Sequence, residues 1–90
     1  PPPADVDLVR LARECAGDAQ GLALGRRVRV DVADDAPASL IVRSRERDLV
    51  RVCTNLLSNA VKFSPDDAVV EVALARADDG GAIVRVIDHG

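Results

Sequence analysis

Apolar residues recur at three- and four-residue steps through Leu8, Leu11, Ala12, Cys15 and Ala19, which predicts a helix from Asp5 to about Ala19 with one apolar face. Asp5 is the expected cap, and Gly17, Gly21 and Gly25 loosen the chain that follows. The period then changes. Val28, Val30 and Val32 alternate with Arg29 and Asp31, the pattern of a half-buried strand. After an Asp34-Asp35-Ala36-Pro37 turn, Leu40-Ile41-Val42 reads as a second strand paired to the first. Ser44 is placed to cap a second helix, with Glu46 in its first turn. That helix runs from Arg45 to about Phe63 and stops before Pro65, because a residue preceding proline avoids helical angles. Val69 to Arg76 is the next strand, Asp78-Asp79-Gly80-Gly81 carries hairpin-turn chemistry, and Ala82 to Asp88 returns antiparallel. The order helix, two strands, helix, two strands fits an α+β two-layer sandwich, with the helices on one face of a mixed, mostly antiparallel sheet.

The second helix sorts into two arcs at 100° per residue. Leu49, Val50, Cys53, Leu56, Leu57, Ala60 and Val61 form a broad apolar arc. Asp48, Arg51, Asn55, Asn59 and Lys62 form a narrow polar stripe opposite, with Asn55, Asn59 and Lys62 stacked over about two turns. Asparagine is a poor helix-interior residue because its amide competes for the backbone. A solvated face tolerates that cost, about 0.5 kcal/mol per residue. A row of amide oxygens and an ammonium also suits an anionic ligand with a hard cation. Mg²⁺ takes oxygen ligands and bridges phosphates, and a neutral amide joins its shell without adding negative charge.

Composition narrows the choice. The 90 residues suffice for one small domain with a thin core. With 12 basic and 15 acidic residues the net charge is −3, the wrong sign for a dedicated nucleic-acid binder. The single aromatic, Phe63, gives no base-stacking platform for nucleic acid. The arginines at 26, 27, 29, 43, 45 and 47 interleave with acids and read as a solvated mixed surface. Cys15 and Cys53 lack metal-ligand spacing and read as two reduced core thiols. The Pro1-Pro2-Pro3 start reads as the end of a linker over residues 1–4, before a domain over residues 5–90. The chain has no methionine, and it is expected to be an excised piece of a longer protein.

Asn55-Leu56-Leu57-Ser58-Asn59-Ala60-Val61-Lys62-Phe63-Ser64-Pro65 resembles the N box of the sensor histidine kinase ATP-binding domain, and Ile87-Asp88-His89-Gly90 resembles the start of that family's G1 box, DxGxG. The resemblance spans nearly the whole chain and implies the Bergerat-type ATP-binding fold, with the N box at 55–65 and the G1 box opening at 88–90. It implies that Asn59 holds a Mg²⁺ bridging the nucleotide phosphates. Asn55 supports the phosphates or the metal, Lys62 contacts a phosphate oxygen, and Phe63 lies against the nucleotide. On residue type alone, a lone aromatic at a helix end plugs the core. Asp88 accepts a hydrogen bond from the adenine amino group, and Gly90 lets the backbone approach the base. Asp88 shares strand parity with Val84 and Val86; if that face is the core face, its carboxylate needs a partner. A strand-end aspartate capping a turn is the plainer alternative.

Related ATPases of this superfold carry a glutamate general base four residues before the metal asparagine, where Asn55 stands here. Without that base, water is poorly activated, which favours phosphoryl transfer to a protein histidine over hydrolysis. The implied function is the ATP-binding catalytic domain of a two-component kinase. It would transfer the γ-phosphoryl of Mg-ATP to a histidine on a separate dimerisation domain, with a response regulator downstream. The parent is expected to be a membrane-anchored sensor with this domain in the cytoplasm. His89 is not the expected acceptor, because it falls at the variable G1 position and is followed by Gly90. With the family's lid and second glycine box beyond Gly90, the piece alone is expected to be inactive and to self-associate through its truncated edge. Two other readings are a non-catalytic regulatory domain of the same fold and an anti-sigma-type serine kinase.

Overall fold

The computed structural model describes residues 2–23 and 27–89, the side chain of Leu22 excepted. Along the chain these form β1 (Ala4–Asp7), α1 (Leu8–Leu22), β2 (Arg29–Val32), β3 (Ile41–Ser44), α2 (Glu46–Phe63), β4 (Val69–Arg76) and β5 (Ala82–His89). Two sheets result. β1 pairs antiparallel with β3, while β4 is central in a β2-β4-β5 sheet, parallel to β2 and antiparallel to β5. The parallel pair needs a crossover, and the segment carrying β3 and α2 supplies it. The helices and sheets share one apolar core, in which Leu11 of α1, Leu57 of α2, and Val70 and Val72 of β4 are the largest fully buried side chains. This is the α+β architecture expected from the sequence, with a mixed sheet.

Three expectations are corrected. The first helix begins at Leu8 rather than Asp5, and Asp7 caps it. Asp7 Oδ1 accepts from Val9 N at 3.0 Å and from Leu40 N at 3.1 Å, so one carboxylate closes the helix and ties it to the approach of β3. Asp5 lies in β1 and pairs with Arg43 at 3.5 Å. Second, β3 pairs with β1 and not with β2. Ala33 N instead donates to Val72 O at 2.8 Å, which carries β2 along β4, while Leu8 N, just after β1, donates to Leu40 O, just before β3, at 2.9 Å. Third, Ser44 does not cap α2. It ends β3, and the cap position is Arg45, whose side chain makes no capping bond. Glu46 and Asp48 in the first turn answer the helix dipole in its place. Glu46 also takes Arg10 of α1 as an ion-pair partner.

The remaining elements follow the pattern. α2 ends at Phe63, β4 spans Val69–Arg76, and Gly80 takes φ 90° in the turn before β5, a conformation glycine adopts without strain. β2 is pinned at its start by the Gln20 amide, which donates to Val28 O at 2.8 Å and accepts from Val30 N at 2.7 Å. The loop after α2 is held near β2, with Asp67 N donating to Arg27 O and the two side chains paired at 3.0 Å. Both cysteines are free and buried in the core. Burial pushes the Cys53 thiol up to about 11, and neighbouring Cys15 adds to the shift. Among the described residues, no helix is long and apolar enough to cross a membrane.

Candidate functional site

α2 contributes its inner face to the core and leaves the rest to solvent. Cys53, Leu57 and Val61 are buried, with Leu49 and Ala60 packed against the cluster. The buried face is narrower than the apolar arc read from the sequence, because α1 and the sheet touch only its centre. Val50 and Leu56 of that arc are exposed. Val52 and Leu56 border an apolar groove of about 370 Å³ between α1, α2 and β5. Neither Asn55, Asn59, Lys62 nor Asp88 lines it, and its walls are mostly apolar.

Asn55, Asn59 and Lys62 are exposed along the outer stripe of α2, as the spacing predicts. Lys62 adds a cation in the last turn, where the helix dipole favours one. Phe63 does not plug the core. It is 75% exposed, and the Lys62 ammonium lies 5.4 Å from its ring centroid. Ser64 then leaves the helical conformation, with φ −79° and ψ 142°, as expected of a residue before Pro65.

Asp88 lies in β5 opposite Val70 of β4. It shares a sheet face with Val84 and Val86, which pack on the core. Asp88 itself is exposed, so the burial considered for it does not occur. It nevertheless has a protein partner that the sequence reading did not anticipate. Ser64 Oγ stands 2.9 Å from Asp88 Oδ2 and 2.6 Å from Ala60 O. Ser64 is only 3% exposed, the one buried polar or charged side chain among the described residues. A hydroxyl at a helix end, free to bond back to the i−4 carbonyl, was the available signal for it.

The end of α2 and the end of β5 therefore meet at Ser64. Gly90 lies outside the described residues. His89 is half-exposed, with Nε2 3.5 Å from Glu71 Oε1. The donors on the stripe are hard amide oxygens and one ammonium, a set that fits a divalent cation with phosphate; Asp88 offers a carboxylate acceptor for an amine.

Comparison with known proteins bears on the same stretch. The family model described as histidine kinase-, DNA gyrase B- and HSP90-like ATPase matches residues 44–90. Sensor histidine kinase TmoS of Ectopseudomonas mendocina is 31% identical over 84 residues, covering 93% of this chain and 8% of its own length. Phosphate regulon sensor protein PhoR of Pseudomonas aeruginosa is 36% identical over 73 residues, covering 81% of this chain and 16% of its own. The chain thus spans a small part of these curated relatives. Among solved structures, the catalytic domain of histidine kinase ThkA superposes with a TM-score of 0.84 at 17% identity, over 98% of this chain and 60% of that one, a likeness of fold.

Proposed function

The chain belongs to the histidine kinase-, DNA gyrase B- and HSP90-like ATPase family, and on that premise we propose that it binds Mg-ATP as part of a sensor histidine kinase, for phosphoryl transfer to a histidine on a separate dimerisation domain. The observation that carries this reading is the exposed Asn55–Asn59–Lys62 stripe of α2, running toward the Ser64–Asp88 contact. Amides in a helix interior are unfavourable for folding, and here they contribute nothing to the core.

In this reading Asn59 is the metal ligand through its amide oxygen, and Asn55 supports the metal or phosphates one turn earlier. Lys62 neutralises a phosphate oxygen, and Phe63 offers its exposed ring to the nucleotide. Asp88 accepts from the adenine amino group, and Gly90 admits the base to the backbone. A bound Mg²⁺ supplies charge neutralisation along the phosphates. The chain's own residues do the positioning: two amides, one ammonium and one carboxylate hold the two ends of the nucleotide. With Asn55 in place of a carboxylate base one turn before Asn59, that position holds no group to take a proton from water, and this favours transfer over hydrolysis. A response regulator would receive the phosphoryl group from the dimerisation domain, and the whole protein would be a membrane-anchored sensor with this domain in the cytoplasm.

Incubating the full-length protein with Mg²⁺ and γ-labelled ATP tests the proposal. Acid-labile, base-stable label is the expected result, the mark of phosphohistidine. Acid-stable label on a partner serine would instead support the serine-kinase reading, and absence of label with intact folding would support a regulatory domain.

A further inference from the structure

We propose that Ser64 is a positioning residue for base recognition: its hydroxyl fixes one oxygen of Asp88 and leaves the other to meet an exocyclic amino group. This rests on the reading of Asp88 given above.

The geometry is specific. Ser64 follows the last residue of α2 and is almost wholly buried, yet its Oγ reaches an exposed carboxylate on another element at 2.9 Å. It also lies 2.6 Å from Ala60 O. Ala60 carries one of the four carbonyls that a helix end leaves without a regular amide partner. The amide four residues on belongs to Ser64, and it donates to Val61 O at 3.4 Å. One hydroxyl proton thus faces two acceptors and serves one at a time. A bond to a charged acceptor is about twice as strong as one to a neutral carbonyl, so an ionised Asp88 draws it.

The consequence falls on Asp88. A carboxylate at an exposed strand end rotates freely about its side-chain torsions, and each nucleotide bound would have to arrest it. The buried Ser64 hydroxyl arrests it beforehand. Its own anchor is the helix end, fixed by Pro65 and by Val61 packed in the core. The base-reading oxygen is thereby held by the helix that bears Asn55, Asn59 and Lys62, and both ends of the nucleotide are referred to one rigid element.

The experiment compares ATP with purine riboside 5′-triphosphate, which lacks the 6-amino group, in autophosphorylation by the full-length protein. Wild type, Ser64→Ala, Ser64→Thr and Asp88→Asn are assayed. Ser64→Ala is expected to lower the preference for ATP about tenfold, the size of a hydrogen bond to a charged group. The loss should come from a raised KM for ATP, with the KM for the analogue moving less. Ser64→Thr, which keeps the hydroxyl, should restore the preference. A general structural defect would raise both KM values together. If Ser64→Ala does not fold, Ser64→Cys, with a weaker donor in similar volume, should give a smaller loss in the same direction. Wild-type preference in Ser64→Ala, or in Ser64→Cys where that is the folded variant, overturns the proposal while Asp88→Asn loses preference and keeps the base reading intact. Unchanged preference in Asp88→Asn overturns both.

Discussion

The two faces of α2 are built to different rules. The inner face presents Cys53, Leu57 and Val61, all buried against α1 and the sheet. The outer face presents Asn55, Asn59, Lys62 and Phe63, all exposed. On the inner face each residue suits its place, since apolar side chains leave water for a close-packed core. On the outer face they do not. Asparagine disfavours helix interiors, and an exposed phenylalanine leaves a large apolar surface wet. A helix that is well made on one side and locally unfavourable on the other separates the residues that stabilise the fold from those that do not. Substitutions on the two faces should therefore separate the same way.

The inner face gives the largest expected effect. Leu57→Ala should destabilise the fold by about 2–5 kcal/mol, because a fully buried leucine leaves a cavity that the core does not close. Chemical denaturation would measure it, and a loss below about 1 kcal/mol would break the comparison. Cys53 gives the next effect, through pH. Its folded-state thiol is raised from 9.0 to about 11, so the folded protein holds a proton that the unfolded chain releases. The stability this contributes is complete below pH 9.0 and is lost as pH rises toward about 11. Unfolding midpoints across that range should fall, and Cys53→Ala should flatten that part of the profile.

Asp7 provides a smaller, opposite dependence. Backbone donors, Leu40 N first, hold its carboxyl below the usual 3.8. The stability it contributes is present above pH 3.8 and is lost as pH falls through the lower folded value. Asp7→Asn should shrink the acid-limb loss. Acid denaturation followed by circular dichroism would show it. The outer face gives the smallest expected change in stability. Phe63→Ala and Asn59→Ala should each shift stability by no more than about 0.5 kcal/mol, since both side chains are exposed and alanine favours the helix. A large loss from either would mean that the outer face supports the fold.

The contrast between faces also shows what was legible beforehand. α2, β4, the Gly80 turn and β5 carry long periodic patterns and sharp breakers, and their bounds follow from them. β1 has no such pattern. Its four residues hold one large apolar side chain, Val6, between two aspartates, and Asp5 reads as a helix cap. Missing β1 led to the wrong partner for β3, since a short apolar run is most simply paired to its neighbour in sequence. The caps failed similarly: Asp7 is chosen over Asp5, and Arg45 over Ser44, by strand pairing that local sequence does not encode. The stripe of α2 was legible because helical spacing alone fixes which residues share a face. Ser64 was not, because its role depends on β5 returning beside the end of α2, a contact between residues 24 apart in sequence.

The central claim is that the outer stripe binds Mg-ATP without supporting the fold. Calorimetric titration of Mg-ATP into full-length wild-type and Asn59→Ala proteins, each with a matched thermal melt, tests it most directly. The account predicts saturable binding by the wild type, binding weakened at least tenfold in Asn59→Ala, and melting temperatures that agree. Equal affinities in the two proteins, or weakened binding accompanied by a collapsed melting temperature, would contradict it.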